Sequence, residues 1–151
     1  MTPRMTYKDM PAEIYAGLLK LEKTVSDIGL DKRVLHLIKI LASNINGCAF
    51  CLDMHAKEAF KDGMDAKDIY MLPVWREAPN YSKKEKAILH WVETLTLVSE
   101  KQVPNAIFEE MASYFDKSTI GKITLSVLTI NSWNRMILAI GTVPGTYQVK
   151  D

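Results

Sequence analysis

The chain has 151 residues, enough for one domain with its own core, and its hydrophobic content of 48% is typical of a globular protein rather than a disordered one. Its 19 basic and 18 acidic residues leave a formal charge of +1, which gives no electrostatic reason to expect a nucleic acid or an anionic membrane as partner. Asn131, Asn134 and Arg135 break the apolar runs near the C-terminus, and the N-terminus lacks the apolar stretch of a signal peptide. We therefore expect a single domain, residues 1–151, in a cytoplasmic protein that contacts no membrane and has little use for a structural disulfide.

Helix signals dominate the first half of the chain. Apolar residues at spacings of three and four predict a first helix over residues 11–29. Asp31 is a candidate N-cap for a second helix, and the pair Asn46–Gly47 breaks the pattern again. A third helix is predicted over residues 48–62, with Gly63 as its C-terminal cap.

The second half of the chain continues this helical pattern. The run 123–130 is rich in β-branched residues, but we interpret it as buried helix because its apolar pattern extends beyond strand length. The stretch 73–79 is predicted to be a loop. The other predicted helices are a short one capped by Asp65, one opened by a capping box of Ser82 and Glu85, one opened by Pro104, and one over residues 116–140. The sequence thus predicts an all-α protein of six or seven helices.

Three reactive side chains lie at the start of the third predicted helix: Cys48, Cys51 and His55. At about 100° per residue, a helix places all three within a sector of about 60°. The break before them puts the cysteines in the first turns, where unpaired N–H groups and the helix dipole favour a thiolate. An imidazole on the same face can accept the thiol proton or pair with the thiolate.

Other interpretations of this segment remain open. Both cysteines could be small buried hydrophobic residues. A structural zinc site would need a fourth ligand, and the chain has no third cysteine and only His36 and His90 as further histidines. A thioredoxin-like fold would require strands alternating with helices, which the pattern does not indicate. A bridge between residues three apart closes almost no loop, so it would serve chemistry better than stability.

The run Asn46-Gly47-Cys48-Ala49-Phe50-Cys51, followed by Asp53-Met54-His55, resembles the carboxymuconolactone decarboxylase superfamily and, within it, the alkylhydroperoxidase D (AhpD)-like branch. The resemblance covers roughly residues 30–145. It also rests on three further runs: Ala42-Ser43, Leu72-Pro73-Val74-Trp75-Arg76-Glu77 and Ile130-Asn131-Ser132-Trp133-Asn134-Arg135. It implies an AhpD-like helical domain that assembles as a homo-trimer or homo-hexamer.

The resemblance also implies an activity, that of a thiol-dependent peroxidase. Such an enzyme reduces a hydroperoxide with electrons from a dithiol reductant, and no cofactor or metal is expected. In the pattern of the family, Cys51 attacks the peroxide, Cys48 resolves the sulfenic acid that forms, and His55 relays protons. The decarboxylase members lack this cysteine pair, which disfavours decarboxylation of a lactone.

Two positions depart from the pattern of the family. A relay glutamate is expected twelve residues before the first cysteine, where this chain has His36, and AhpD has a histidine between the cysteines, where this chain has Phe50. An imidazole at position 36 can pass protons through a water molecule but supplies no fixed negative charge near neutral pH. His36 is therefore a candidate catalytic residue and equally a candidate structural histidine. The alternatives to a peroxidase are a non-enzymatic thiol redox sensor and a metal-binding scaffold.

Overall fold

The computed structural model describes residues 2–100 and 102–149, which form an all-α protein. No strand occurs in these two ranges, which confirms the predicted fold class. Two 3-10 turns, Tyr7–Asp9 and Leu72–Val74, accompany the helices, and the second of them overlaps the start of the predicted loop 73–79. The α-helices in these ranges are α1 (Ala12–Asp27), α2 (Lys32–Ile45), α3 (Ala49–Lys61), α4 (Lys67–Tyr70), α5 (Lys83–Thr96), α6 (Asn105–Ala112) and α7 (Lys117–Ile140).

Local caps explain where several helices begin. Asp31 accepts hydrogen bonds from two backbone N–H groups of the first turn of α2, at 2.9 and 3.3 Å. Ser82 and Glu85 form the predicted capping box of α5, and Asp116 accepts an N–H at 2.7 Å at the start of α7. A cap of this kind stabilises a helix by roughly 0.5–2 kcal/mol, so these starts are determined by nearby sequence.

Helix α2 lies at the centre of the fold. It packs against α3, α5 and α7, and α1 packs on α7. Leu37, Ile38 and Ile40 of α2 are completely buried. Burying an apolar side chain of this size contributes roughly 1.5–3 kcal/mol, so the contacts of α2 hold the neighbouring helices in place.

Helix α7 is the longest helix in the described part of the chain. By length and composition alone it is apolar enough to cross a membrane, but half of its most apolar window is buried inside the protein. Asn131 and Asn134, the polar residues that interrupt its apolar sequence, point into the protein and are 8% and 0% exposed. Gly141, with φ of 75°, ends the helix in the left-handed conformation that suits glycine.

These buried asparagines hold the turn that joins α2 to α3. The side-chain amide of Asn46 donates to Oδ1 of Asn131 at 3.0 Å and to Oδ1 of Asn134 at 2.9 Å. Asn134 in turn donates to the hydroxyl of Ser43 at 3.0 Å. The backbone N–H of Cys48 donates to the carbonyl of Ser43 at 2.9 Å. The first cysteine is therefore fixed relative to α7.

Candidate active site

Cys48 occupies the N-cap position of α3. Its sulfur accepts a hydrogen bond from the backbone N–H of Cys51 at 3.4 Å. Gly47, immediately before it, has φ of 67°, a conformation that other residues rarely adopt, so the turn depends on glycine at this position. The predicted placement of the cysteines at the start of a helix is confirmed, although Cys48 itself lies just outside the helical residues.

The two cysteine sulfurs are bonded to each other, with Cα atoms 5.3 Å apart. Cys48 is 1% exposed and Cys51 is 2% exposed. Both belong to a small apolar cluster with Ile137 of α7, against which Tyr7 and Phe50 pack. The protein thus supports a local bridge between the cysteines in apolar surroundings that are shielded from solvent.

A cavity of about 320 Å³ opens beside the bridge and reaches Cys51 and His55. Its walls come from the N-terminal segment and from α1, α2, α3 and α7. Most of the lining is apolar or aromatic. The lining residues are Tyr7, Tyr15, Glu22, Lys39, Phe50, Cys51, Met54, His55, Glu58, Trp133 and Ile137.

The N-terminal segment reaches this cavity because Arg4 anchors it to the end of α7. The backbone N–H of Arg4 donates to the carbonyl of Ile140 at 2.7 Å, and its guanidinium donates to the carbonyl of Leu138 at 2.8 Å. A cation at a helix C-terminus also complements the negative end of the helix dipole. This anchor brings Tyr7 against Tyr15, with ring centroids 4.3 Å apart, to form an aromatic wall.

His55 is buried and paired with a carboxylate. Its Nδ1 lies 2.9 Å from Oε2 of Glu58, one helical turn later in α3. Burial lowers the pKa of His55 below its usual value, and the hydrogen bond to Glu58 opposes this change without cancelling it. Burial alone would raise the pKa of Glu58, but hydrogen bonds from His55 and Tyr147 and the charge of Lys39 outweigh it, so the net pKa is lowered. An ionised Glu58 can only accept, so Nδ1 of His55 carries the hydrogen and Nε2 carries the lone pair.

An ion pair also lies in the cavity. Lys39 of α2 forms an ion pair with Glu22 of α1. The charge of Lys39 acts to lower the pKa of His55, and that of Glu22 acts to raise it. The electrostatic surroundings of His55 therefore come from three helices.

His36 lies outside the cavity that contains Cys51. Its Nε2 is 2.8 Å from a carboxylate oxygen of Asp62, and Lys32 binds the other oxygen of Asp62 at 2.8 Å. His36 lines a separate surface cavity, to which Glu58 and Tyr147 also contribute. The structure thus brings Cys48, Cys51 and His55 together and leaves His36 apart from them. In residues 2–100 and 102–149, no three His, Cys, Asp or Glu side chains are arranged to hold a metal ion.

Sequence reasoning identified neither Glu58, which pairs with His55, nor Tyr147, which bonds Glu58. Glu58 follows His55 by three residues in α3, a spacing at which helical side chains meet, so the sequence contained a signal for this contact. Tyr147 lies 89 residues further along the chain, and its hydroxyl donates to Oε1 of Glu58 at 2.8 Å. No local pattern indicates that second contact.

Comparison with known proteins identifies the family of this chain. Residues 12–94 match the carboxymuconolactone decarboxylase family. The chain is 36% identical over 141 residues to the uncharacterized protein YdfG of Bacillus subtilis (strain 168), covering 93% of this chain and 96% of that protein. A crystal structure from Agrobacterium tumefaciens, of a protein of unknown function suggested to be the antioxidant defence protein AhpD, superimposes with a TM-score of 0.92 and 38% identity. That match covers 97% of this chain and all of the other.

A more distant structure shares the fold. The alkylhydroperoxidase AhpD core of an uncharacterized peroxidase-related protein from Ralstonia eutropha JMP134 superimposes with a TM-score of 0.78, at 21% identity, over 97% of this chain and 78% of the other. The resemblance inferred from the cysteine segment and its flanking runs is therefore confirmed, and so is the AhpD-like helical fold. The chain belongs to the carboxymuconolactone decarboxylase family and has the fold of its AhpD-like members.

Proposed function

We propose that this protein is a thiol-dependent peroxidase in which Cys51 attacks the peroxide, Cys48 resolves the product and His55 moves the protons. One observation supports this proposal above the others: Cys51 and a neutral, carboxylate-paired His55 line the same mostly apolar cavity, and Cys51 is bonded to its partner cysteine. The similar protein from Agrobacterium tumefaciens, with its suggested role in antioxidant defence, supports the same function.

The reaction starts from the reduced pair. His55 accepts the proton of the Cys51 thiol, and the thiolate attacks the terminal oxygen of the hydroperoxide. The O–O bond breaks, and the alkoxide leaves as an alcohol with the proton from His55, while Cys51 becomes a sulfenic acid. The Cys48 thiol then loses its proton, and its thiolate attacks the Cys51 sulfur and expels hydroxide, which takes up that proton and leaves as water. A dithiol reductant restores both thiols and is itself oxidised to a disulfide.

The cavity suggests the class of peroxide. Its aromatic and aliphatic lining favours a hydroperoxide with an apolar organic group over hydrogen peroxide, because burying that group adds roughly 25 cal/mol for each Å² removed from water. His36 remains a predicted relay residue. It lines a different cavity from Cys51 and takes no direct part in the mechanism above. We also propose that the protein has a single domain, is cytoplasmic and assembles as a homo-oligomer, either a trimer or a hexamer. Sedimentation analysis of the purified protein would test the oligomeric state.

The first test is peroxide consumption by the purified protein with dithiothreitol as reductant and cumene hydroperoxide as substrate. We expect many turnovers for the wild type and none for Cys51→Ser. The matched variant Cys48→Ser keeps the attacking thiol. Once it has been reduced and freed of dithiothreitol, whose thiols would themselves reduce a sulfenic acid, it should react once per subunit and stop at a sulfenic acid that a dimedone probe labels.

Two outcomes would contradict the proposal. Turnover by Cys51→Ser would exclude the assigned nucleophile. A single oxidation per wild-type subunit, under conditions in which dithiothreitol does reduce the bridge, would exclude a peroxidase and favour the redox sensor instead.

A further inference from the structure

The segment after α7 reaches back to α3 through Tyr147. Its hydroxyl donates to Oε1 of Glu58 at 2.8 Å, and its backbone carbonyl accepts a hydrogen bond from Nζ of Lys57 at 3.0 Å. Lys57 is itself held by Asp53, one turn earlier, at 2.8 Å. Two successive residues of α3 therefore fix the position of Tyr147.

Glu58 shares its carboxylate between Tyr147 and the active site. Oε1 accepts from Tyr147, and Oε2 accepts from Nδ1 of His55. The side chain of Glu58 is 32% exposed, so without the tyrosine it has open solvent into which it can turn. With both oxygens bound, the carboxylate has one orientation, and that orientation decides which nitrogen of His55 carries the hydrogen.

We propose that Tyr147 is a positioning residue: it fixes Glu58 and, through Glu58, the tautomer and orientation of His55. The C-terminal segment thus completes the candidate active site without touching the substrate. The consequence for catalysis rests on the proposed peroxidase function, whereas the consequence for His55 does not depend on it.

The tyrosine is suited to a constant role rather than a switching one. Burial, followed by its hydrogen bond to Glu58 and the negative charge there, raises the pKa of Tyr147 to about 12. The phenol therefore stays protonated and donates to Glu58 across the physiological range. Substitution of Tyr147 can remove this hydrogen-bond donor, whereas a change of pH within the physiological range cannot.

Tyr147 makes a direct hydrogen bond to one of the titratable groups around His55. The titratable side chains in the same cavity are Glu22 of α1, Lys39 of α2, Glu58 of α3 and the phenols Tyr7 and Tyr15. Glu58 is the group among these that Tyr147 contacts in the described residues. A change at His55 in a Tyr147 variant therefore reports on Glu58.

The test is an NMR titration of the histidine rings in the oxidised protein, which contains three histidines in all and no titrating thiol. The variant Tyr147→Phe keeps the ring and removes the hydroxyl. In this variant we expect the ¹⁵N chemical shifts of the His55 ring to report a smaller population of the Nδ1–H tautomer than in the wild type. We also expect the pKa of His55 to fall, because Glu58 then supports the charged imidazole less well. The ring resonances of His90, whose partner is Glu110, should be the same in the variant as in the wild type, so they serve as an internal reference.

The matched control is Tyr70→Phe, the same change at an exposed tyrosine of α4. An unchanged His55 tautomer and pKa in Tyr147→Phe would overturn the proposal, and so would a rise of the pKa, since Glu58 would then bind His55 better without the tyrosine. A kinetic measurement on the reduced protein separates the two proposals. If the wild type proves inactive toward peroxides, the peroxidase function fails while the NMR result still decides the role of Tyr147.

Discussion

At the scale of single residues, His55 is subject to two opposing effects. Burial disfavours its charged form, and the carboxylate of Glu58 stabilises that form. Burial is the larger effect, so the pKa is lowered and the imidazole is neutral near pH 7. A neutral ring whose Nδ1–H is held by a carboxylate keeps Nε2 free to accept a proton, which is the state required of a base in the proposed mechanism.

Replacing Glu58 by glutamine tests this balance. The amide oxygen of Glu58→Gln can still accept the Nδ1–H of His55, but the negative charge is lost. The pKa of His55 should fall, so the acidic limb of the pH profile of kcat/KM moves to lower pH. A charge-assisted hydrogen bond is replaced by a neutral one, and we expect kcat/KM on the plateau to fall roughly tenfold, or about 1.4 kcal/mol.

A second histidine–glutamate pair supplies the control for this change. Glu110 lies 2.8 Å from Nδ1 of His90 and does not line the cavity that contains Cys51. Glu110→Gln should leave kcat/KM and its pH profile as in the wild type. Equal profiles for Glu58→Gln and the wild type would mean that the charge of Glu58 plays no part in the reaction.

The residues of the site differ in how well the nearby sequence predicts them. Cys48, Cys51 and His55 were predicted from one short run because helical spacing alone brings them near each other. Glu58 was not predicted, although its spacing from His55 is equally local, because the resemblance to the family implied a relay glutamate at the position of His36, twelve residues before the first cysteine. In this structure the carboxylate beside His55 comes from the same helix instead.

At the scale of elements, the turn between α2 and α3 depends on α7. Asn46, Asn131 and Asn134 form a buried hydrogen-bonded group, and the hydroxyl of Thr96 accepts a further bond from Asn131 at 3.1 Å. Buried polar groups of this kind are expensive to leave without partners. The network therefore fixes the N-cap cysteine relative to the helix that supplies Trp133 and Ile137 to the cavity.

Asn134→Ala should disturb this turn. Asn134 is fully buried, and its removal leaves the amide of Asn46 short of an acceptor and the hydroxyl of Ser43 without its donor. Each unsatisfied buried group costs about 1–3 kcal/mol, so we expect the free energy of unfolding in urea to fall by roughly 2–4 kcal/mol. The bridge should also become more accessible, with faster reduction by dithiothreitol in the native protein.

The neighbouring residue Ser132 offers a comparison within the same helix. Among the described residues, its hydroxyl donates only to the carbonyl of Leu128, one helical turn earlier, and this hydrogen bond is exposed. Ser132→Ala should change the free energy of unfolding by less than about 0.5 kcal/mol. Equal stability of the two variants would show that the asparagine group does not hold the turn.

The starts of the helices could be predicted from the sequence. The contacts that residues near the two chain ends make with distant helices could not. Asp31, Ser82 and Asp116 cap helices through bonds to residues two or three positions away, so the sequence contains the whole interaction. Arg4 and Tyr147 instead contact helices about 90 or more residues distant. Such contacts depend on how the helices pack, and no spacing pattern along the chain indicates them.

At the scale of the whole molecule, acid should destabilise the protein in two stages. The carboxylates of Glu58, Asp68 and Glu85 have lowered pKa values in the folded state, so their stabilising contribution is present at neutral pH and is lost in the more acidic stage. His55 gives rise to the first stage as pH falls, because the usual pKa of a histidine lies near 6.5. Its pKa is lowered on folding, so the unfolded chain binds a proton more readily than the native protein does.

The contribution of His55 to stability is therefore fully present above about pH 6.5 and is lost as pH falls from there through the lowered folded-state value. We expect the free energy of unfolding of the oxidised wild type, measured in urea, to decline between pH 7.5 and pH 5. His55→Gln removes the titrating group, so its curve should be flatter over the same interval, whatever its absolute stability. Parallel curves for the wild type and His55→Gln would show that burial of His55 is not what couples folding to pH in this range.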